Sequence, residues 1–308
     1  MKGIFINKNS EVRSGWKIVL TFLTFYVALL ITTILIMIVC TVYMVVAKHM
    51  PASESQTFLK NLTNSSSFNT FSQIIQCLMM ILSVVLFWKK FDKKPIREIG
   101  LINIKKGYTD LMKGLILGAI SLIMVFLILL ATKNISLINP LTKPIFSWSL
   151  LSGFILFIFV GINEEMFARG YCMTVLKQTG NKWIVITVSA LIFALLHSFN
   201  PSMSLLSYLN LFLFGLFTAY MFIKSGNLWL SIGYHITWNY FEGNVFGFQV
   251  SGQVANGLYN VHNQANNIIN GGNFGPEGGL VVTFILFIGF IYMWKFYTPS
   301  SFVFKKEP

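Results

Sequence analysis

The ionisable side chains inside the apolar runs of this 308-residue sequence gather almost entirely in three short patterns. They are Asn163-Glu164-Glu165-Met166-Phe167-Ala168-Arg169, Phe193-Ala194-Leu195-Leu196-His197 and His235-Ile236-Thr237-Trp238-Asn239. A charge at mid-membrane costs about 2.5 to 3.5 kcal/mol on insertion scales, so those that persist are candidates for function. Glu165 and Arg169 stand four apart with the acid first, the order that favours an ion pair on one helix face. Glu164 lies about 100° around the same helix, is less well placed to share that guanidinium, and is the candidate proton acceptor. His235 and Asn239 share one face of their helix. Asn239 can donate a hydrogen bond without carrying charge, which suits an oxyanion site in a low-dielectric cavity.

These patterns need helices to carry them. Eight apolar runs are long enough to cross a hydrocarbon core, which takes about 20 helical residues. They lie near Trp16 to Ala47, Phe71 to Trp88, Leu111 to Thr132, Ile145 to Gln178, Lys182 to Phe199, Ser202 to Ile223, Leu228 to Phe246 and Gly279 to Phe296. The fold class expected is an all-α polytopic membrane protein with its catalytic bundle in the C-terminal half. If the fourth and fifth runs form an antiparallel hairpin turning at Gly180-Asn181, Glu164 and His197 are equally far from that turn, about 25 Å along each helix. Each pattern taken alone also reads as packing: an ion pair tying helices together, a hydrogen-bonded histidine, a polar pair acting as glue. One site accounts for all six residues together.

Composition agrees with a membrane protein. Hydrophobic residues make up 55% of the chain and charged residues only 11%, less than half the share of about 25% usual in soluble domains. Cys40, Cys77 and Cys172 all fall within apolar runs, which gives neither a disulfide framework nor a thiolate metal site. The net charge of +13 reflects membrane orientation rather than nucleic-acid binding. With eight alternating spans and a cytoplasmic N-terminus, 19 of the 23 Lys and Arg residues face the cytoplasm, Lys305 and Lys306 among them, and only Lys48, Lys60, Lys133 and Lys143 lie outside. The first run, with Lys2, Lys8, Arg13 and Lys17 at its N-terminal side, is too long for a signal-peptide core and reads as a retained anchor.

Three divisions follow: residues 1–144 with three helices and the Lys-rich loop Lys89 to Lys106, residues 145–246 with the catalytic bundle, and residues 247–308 with an external loop and the last helix. The Lys-rich loop is expected against anionic headgroups. The segment Pro51 to Thr70 reads as a Ser/Asn-rich spacer, and Asn200-Pro201 as a helix start. The Gly/Asn-rich stretch between Phe241 and Gly279 reads as an outer loop and is assigned no chemistry.

In order and spacing the three motifs resemble the family of CAAX proteases and bacteriocin-processing enzymes, also called the Abi or CAAX prenyl protease 2 family. The resemblance covers Ile145 to Phe246. Gly243, Phe246-Gly247-Phe248, Ser251-Gly252 and Gly275-Pro276-Glu277-Gly278 resemble its bacterial branch. It implies an intramembrane endopeptidase in which Glu164 activates water with help from His197, and His235 and Asn239 stabilise the oxyanion. Glu165 and Arg169 would hold the helix in register, with Phe193 as a further supporting residue.

Members of the family are commonly labelled metalloproteases, and Glu164, His197 and His235 could supply a carboxylate and two histidines to zinc. The sequence lacks the His-Glu-x-x-His helix of zinc proteases, and no cofactor is the favoured reading. Two other classes compete: a non-catalytic scaffold or bacteriocin self-immunity protein, and a proton-coupled transporter using the same residues as a relay. No internal repeat is visible, which weighs against transport. The expected partners are the lipid bilayer and a membrane-associated peptide or protein substrate, such as a leader peptide or pheromone precursor, and no nucleic acid. The Ile-, Asn- and Lys-rich composition points to a bacterial cell membrane.

Overall fold

The structure, a computed structural model, describes residues 2–7 and 10–297. Lys8, Lys305 and Lys306, which enter the orientation argument above, lie outside the described residues, as does the C-terminus. The chain divides into two compact units, Met1–Lys93 and Lys94–Pro308.

In the first unit, α1 spans Ser14–Val42 and widens into a π-helical turn, Tyr43–Ala47. It is apolar on every side and leaves Val27, Leu30, Ile34 and Ile38 exposed, as expected of a helix facing lipid. The segment read as a spacer is instead a helix, α2, Ala52–Thr63. Its Ser and Asn residues hide a helix that begins after Pro51 and carries Glu54 in its first turn, both of which favour an N-terminus there. Next, α3 spans Ser66–Leu86, with the Ser65 hydroxyl accepting from the Phe68 N–H at 3.3 Å, and widens into a second π turn, Phe87–Phe91. Lys17 pairs with Asp92, and the Thr32 hydroxyl reaches the Met79 sulfur at 3.5 Å, joining α1 to α3.

The second unit holds the motifs. It contains α4 (Ile104–Ala131), α5 (Trp148–Glu165), α6 (Lys182–Leu196), α7 (Leu205–Ser225), α8 (Trp229–Tyr240) and α9 (Leu280–Phe296). Among the described residues five helices are long and apolar enough to cross a membrane, and Lys182–Leu196 and Leu280–Phe296 are apolar but shorter. The eighth, α8, is only 12 residues long before a π turn, Phe241–Val245, prolongs it. Every residue from Leu230 to Asn239 is buried, so α8 is the central helix and needs no lipid-facing surface of its own.

Small residues allow the close approach of α4 to α8. A Cβ at Gly114 would stand 2.2 Å from the Leu230 carbonyl oxygen, one at Gly118 2.3 Å from that of Tyr234, and one at Gly233 2.4 Å from that of Leu111. With the backbones this near, the Thr237 hydroxyl donates across to the Leu115 carbonyl at 2.7 Å. The third apolar run therefore belongs to the same compact unit as the motif-bearing helices, and that unit is larger than the segment 145–246 marked by the motifs.

The hairpin of α5 and α6 turns as its sequence suggests. Gly180 adopts a left-handed conformation at φ 67°, and the Asn181 side chain caps α6 by accepting from the N–H groups of Trp183 and Ile184. The start of α7 falls later than Asn200-Pro201: Ser204 and Ser207 form a reciprocal cap, which fixes the helix start at Leu205. After α4, β1 (Ile135–Leu137) pairs antiparallel with β2 (Val261–Asn263) from the long loop after α8. The ends of α4 and α8 consequently lie on one side, as they must if the four helices α5 to α8 each traverse the bundle. The long loop is ordered throughout. The Asn260 N–H donates to the Asn139 side chain and so ties the loop to the connection between α4 and α5, and Asn270 holds the Asn134 and Ala265 carbonyls.

Candidate active site

The end of α5 places Glu164 and Glu165 immediately before a π-helical stretch, Met166–Cys172, that is buried throughout. Such wide turns often occur at functional sites, and this one retains the contact between Glu165 Oε1 and Arg169 at 3.3 Å. Both side chains are fully buried. The Arg169 nitrogens make no hydrogen bond among the described residues, and the guanidinium instead lies over the Phe193 ring at 4.2 Å from its centroid. Carboxylate and ring together hold this cation in place.

Glu165 Oε1 also accepts from His235 Nδ1 at 3.0 Å. His197 stands at the C-terminal cap of α6 rather than inside the helix, and its Nδ1 donates to the Phe193 carbonyl at 2.9 Å. A carbonyl and a carboxylate can only accept, so both imidazoles carry hydrogen on Nδ1, and in the neutral form each presents a bare lone pair at Nε2. Both Nε2 atoms face the same oxygen. Glu164 Oε2 lies 3.9 Å from His197 Nε2 and 3.8 Å from His235 Nε2, too far for direct hydrogen bonds, and has no hydrogen-bond partner among the described residues. Three lone-pair donors thus converge on a space that a proton-bearing molecule can fill. At 25% side-chain exposure, Glu164 is the most accessible of the four acid and histidine groups.

The ring of Phe214 packs edge-on against His235 at 5.0 Å, and Phe193 does so at 6.0 Å. Asn239, buried one turn further along α8, has no side-chain hydrogen bond among the described residues. Its amide is available to a ligand. The structure thus brings Glu164, His197 and His235 together, with Asn239 beside them on the α8 face, and sets Glu165, Arg169 and Phe193 behind.

Glu164, His197 and His235 are the residues that would hold a metal ion. A tetrahedron with ligand bonds of about 2.1 Å has donor atoms about 3.4 Å apart. The oxygen-to-nitrogen separations here are longer, and among the described residues no group of three His, Cys, Asp or Glu is arranged to hold a metal.

A second buried acid group lies further along α8. Glu242 is three residues beyond Asn239 and fully buried, with its carboxyl beside the Glu277 backbone. Beside it stands Glu277 from the loop, which accepts from Trp238 Nε1 at 3.0 Å and from the Ser251 hydroxyl. The sequence reading assigns these no chemistry. The visible signal was the spacing His235, Asn239, Glu242, which continues one helix face.

Fold and site together define a polytopic helical membrane protein whose buried charges meet in one bundle. Residues 146–241 match the model of the Rce1-like family, described as type II CAAX prenyl endopeptidase Rce1-like, in agreement with the resemblance carried by the three motifs. The match covers the segment that carries all three motifs and less than a third of the chain. No curated protein and no solved structure matches the chain.

Proposed function

We propose that the protein is an intramembrane endopeptidase that hydrolyses membrane-associated peptides or proteins with a water activated by Glu164. The observation that carries this reading is the buried Glu164 oxygen, without a hydrogen-bond partner among the described residues and within 3.9 Å of two imidazole nitrogens. A water between these groups donates one hydrogen to Glu164 and the other to His197 Nε2, which leaves an oxygen lone pair for the scissile carbonyl. As the C–O bond forms, Glu164 takes a proton and the carbonyl oxygen becomes an oxyanion. Asn239 donates to that oxyanion, and His235, once its Nε2 has taken up a proton from solvent, donates to it as well, with Glu165 as counter-charge. Glu164 then passes its proton to the amide nitrogen, the C–N bond breaks, and the carboxylic acid, still carrying the water's second hydrogen, is released with the amine. The substrates we favour are leader peptides, pheromone precursors and other membrane-anchored peptides of a bacterial cell.

Incubating the purified protein with membrane peptides from cells in which its gene is inactivated tests the activity. New peptide termini should appear, and their absence across such a pool overturns the reading. Because no step uses a metal, cleavage should persist after prolonged chelation and zinc should be substoichiometric. Loss on chelation, restored by zinc alone, would instead make Glu164, His197 and His235 ligands.

The lysine asymmetry supports a cell-membrane orientation with the Lys89 to Lys106 loop and the N-terminus in the cytoplasm and the Phe241 to Gly279 loop outside. In intact cells an impermeant thiol reagent should label His262→Cys and spare Lys93→Cys. The opposite pattern inverts the topology.

A further inference from the structure

The loop after α8 contains an open strand edge beside a cleft. Backbone bonds from Ile138 N–H to the Asn260 carbonyl and from Gln264 N–H to the Asn134 carbonyl fix which pairs in the β1–β2 ladder are bonded. Alternation along an antiparallel ladder then makes Ser136 and His262 the bonded pair between them. The N–H and C=O groups of Val261 and Asn263 therefore point away from β1, and among the described residues none of them has a hydrogen-bond partner. A cleft of about 490 Å³ is lined by these residues, His262, Gln249, Asn266 and Asn273. That volume lies within the range of about 300 to 1,000 Å³ usual for ligand sites.

We infer that the open edge of β2 binds an extended, uncharged segment of the substrate by adding it as a third strand. This inference rests on the endopeptidase reading and names a subsite of it. Three observations support it. Two residues present unpaired backbone groups in strand conformation, which is what strand addition uses. From residue 243 to 276 the chain has no Lys, Arg, Asp or Glu, so the amide-rich cleft offers hydrogen bonds without selecting charge. The cleft also begins at Gly247, eight residues beyond Asn239 along a mostly helical path of about 12 Å. An extended peptide covers that distance in about four residues at 3.3 Å each, so the segment bound lies about four positions from the scissile bond.

Binding to the full-length protein in detergent can be measured by fluorescence anisotropy with a fluorescein-labelled octapeptide of alternating threonine and valine. Its analogue with alternate amide nitrogens methylated presents no donors along one edge. Val261→Pro removes one N–H from the open edge and sets a ring there, while the Ser136–His262 bonds to β1 remain possible. The wild type should bind the octapeptide saturably, with the methylated analogue and Val261→Pro each about tenfold or more weaker. Should Val261→Pro fail to fold, judged by melting, the methylated peptide still decides the matter on wild-type protein. Equal binding of both peptides, or no saturable binding to the wild type, overturns the inference. Binding is read without turnover, so an enzyme that cuts nothing but discriminates the two peptides would sink the endopeptidase reading and leave the strand edge standing. Cleavage of membrane peptides with no such discrimination would do the reverse.

Discussion

Glu164→Gln is expected to lower peptide cleavage by about 10²- to 10⁴-fold, the range contributed by a positioned general base, with little change in folding or membrane level. The substitution retains shape but replaces a carboxylate that accepts a proton with an amide that does not. Structural damage should be small because Glu164 Oε2 has no hydrogen-bond partner among the described residues and the side chain is a quarter exposed, so no buried partner is stranded. His197→Gln should also reduce turnover, more modestly, since Glu164 would still take the proton. Cleavage rates, melting temperature and membrane level of each variant provide the check. Near-normal turnover by Glu164→Gln, together with a well-folded but inactive Glu165→Gln, would transfer the role of base to Glu165.

Much of this arrangement can be read from spacing. Glu165 with Arg169 and His235 with Asn239 follow the four-residue repeat of a helix, and Gly180-Asn181 marks a turn strongly enough to set Glu164 level with His197. Other features are invisible at that level because they depend on contacts distant in sequence. The Phe193 ring meets Arg169 only once α6 lies against α5, and the tautomers of both histidines follow from acceptors known only in three dimensions. The π turn at Met166–Cys172 has no compositional signature, since its residues are ordinary helix formers apart from Gly170. Polar composition misled in the other direction at Ala52–Thr63, where Ser and Asn cover an exposed helix rather than a spacer. The Gly/Asn-rich stretch reads as an ordered or partly ordered outer loop, but the contacts that order it are not visible in the sequence. Its amides bond to each other and to the strand after α4, and Phe246, Phe248 and Phe274 anchor it in the hydrophobic core beside Phe126, so polar and apolar contacts distant in sequence hold it together.

Glu165→Gln should act on stability first. Glu165 Oε1 is shared by Arg169 at 3.3 Å and His235 Nδ1 at 3.0 Å, and all three side chains are buried, so the substitution removes the one carboxylate between two groups that bear or can bear positive charge. Removing one partner of a buried pair costs about 3 to 5 kcal/mol. That is a large part of the 5 to 15 kcal/mol or so by which domains are usually stable. Thermal stability and membrane level should therefore fall clearly. Replacing Arg169 by Gln as well should recover part of the loss, because the stranded charge is gone, and a double-mutant cycle gives the coupling energy. Recovery should be incomplete, since Phe193 loses the guanidinium over its ring and His235 loses its acceptor. Activity separates the two contributions: the double variant should remain slow even where it folds, because His235 no longer has a counter-charge when it donates to the oxyanion. If Glu165→Gln melts like the wild type, or if adding Arg169→Gln lowers stability further, the pair does not hold α5 as its geometry indicates.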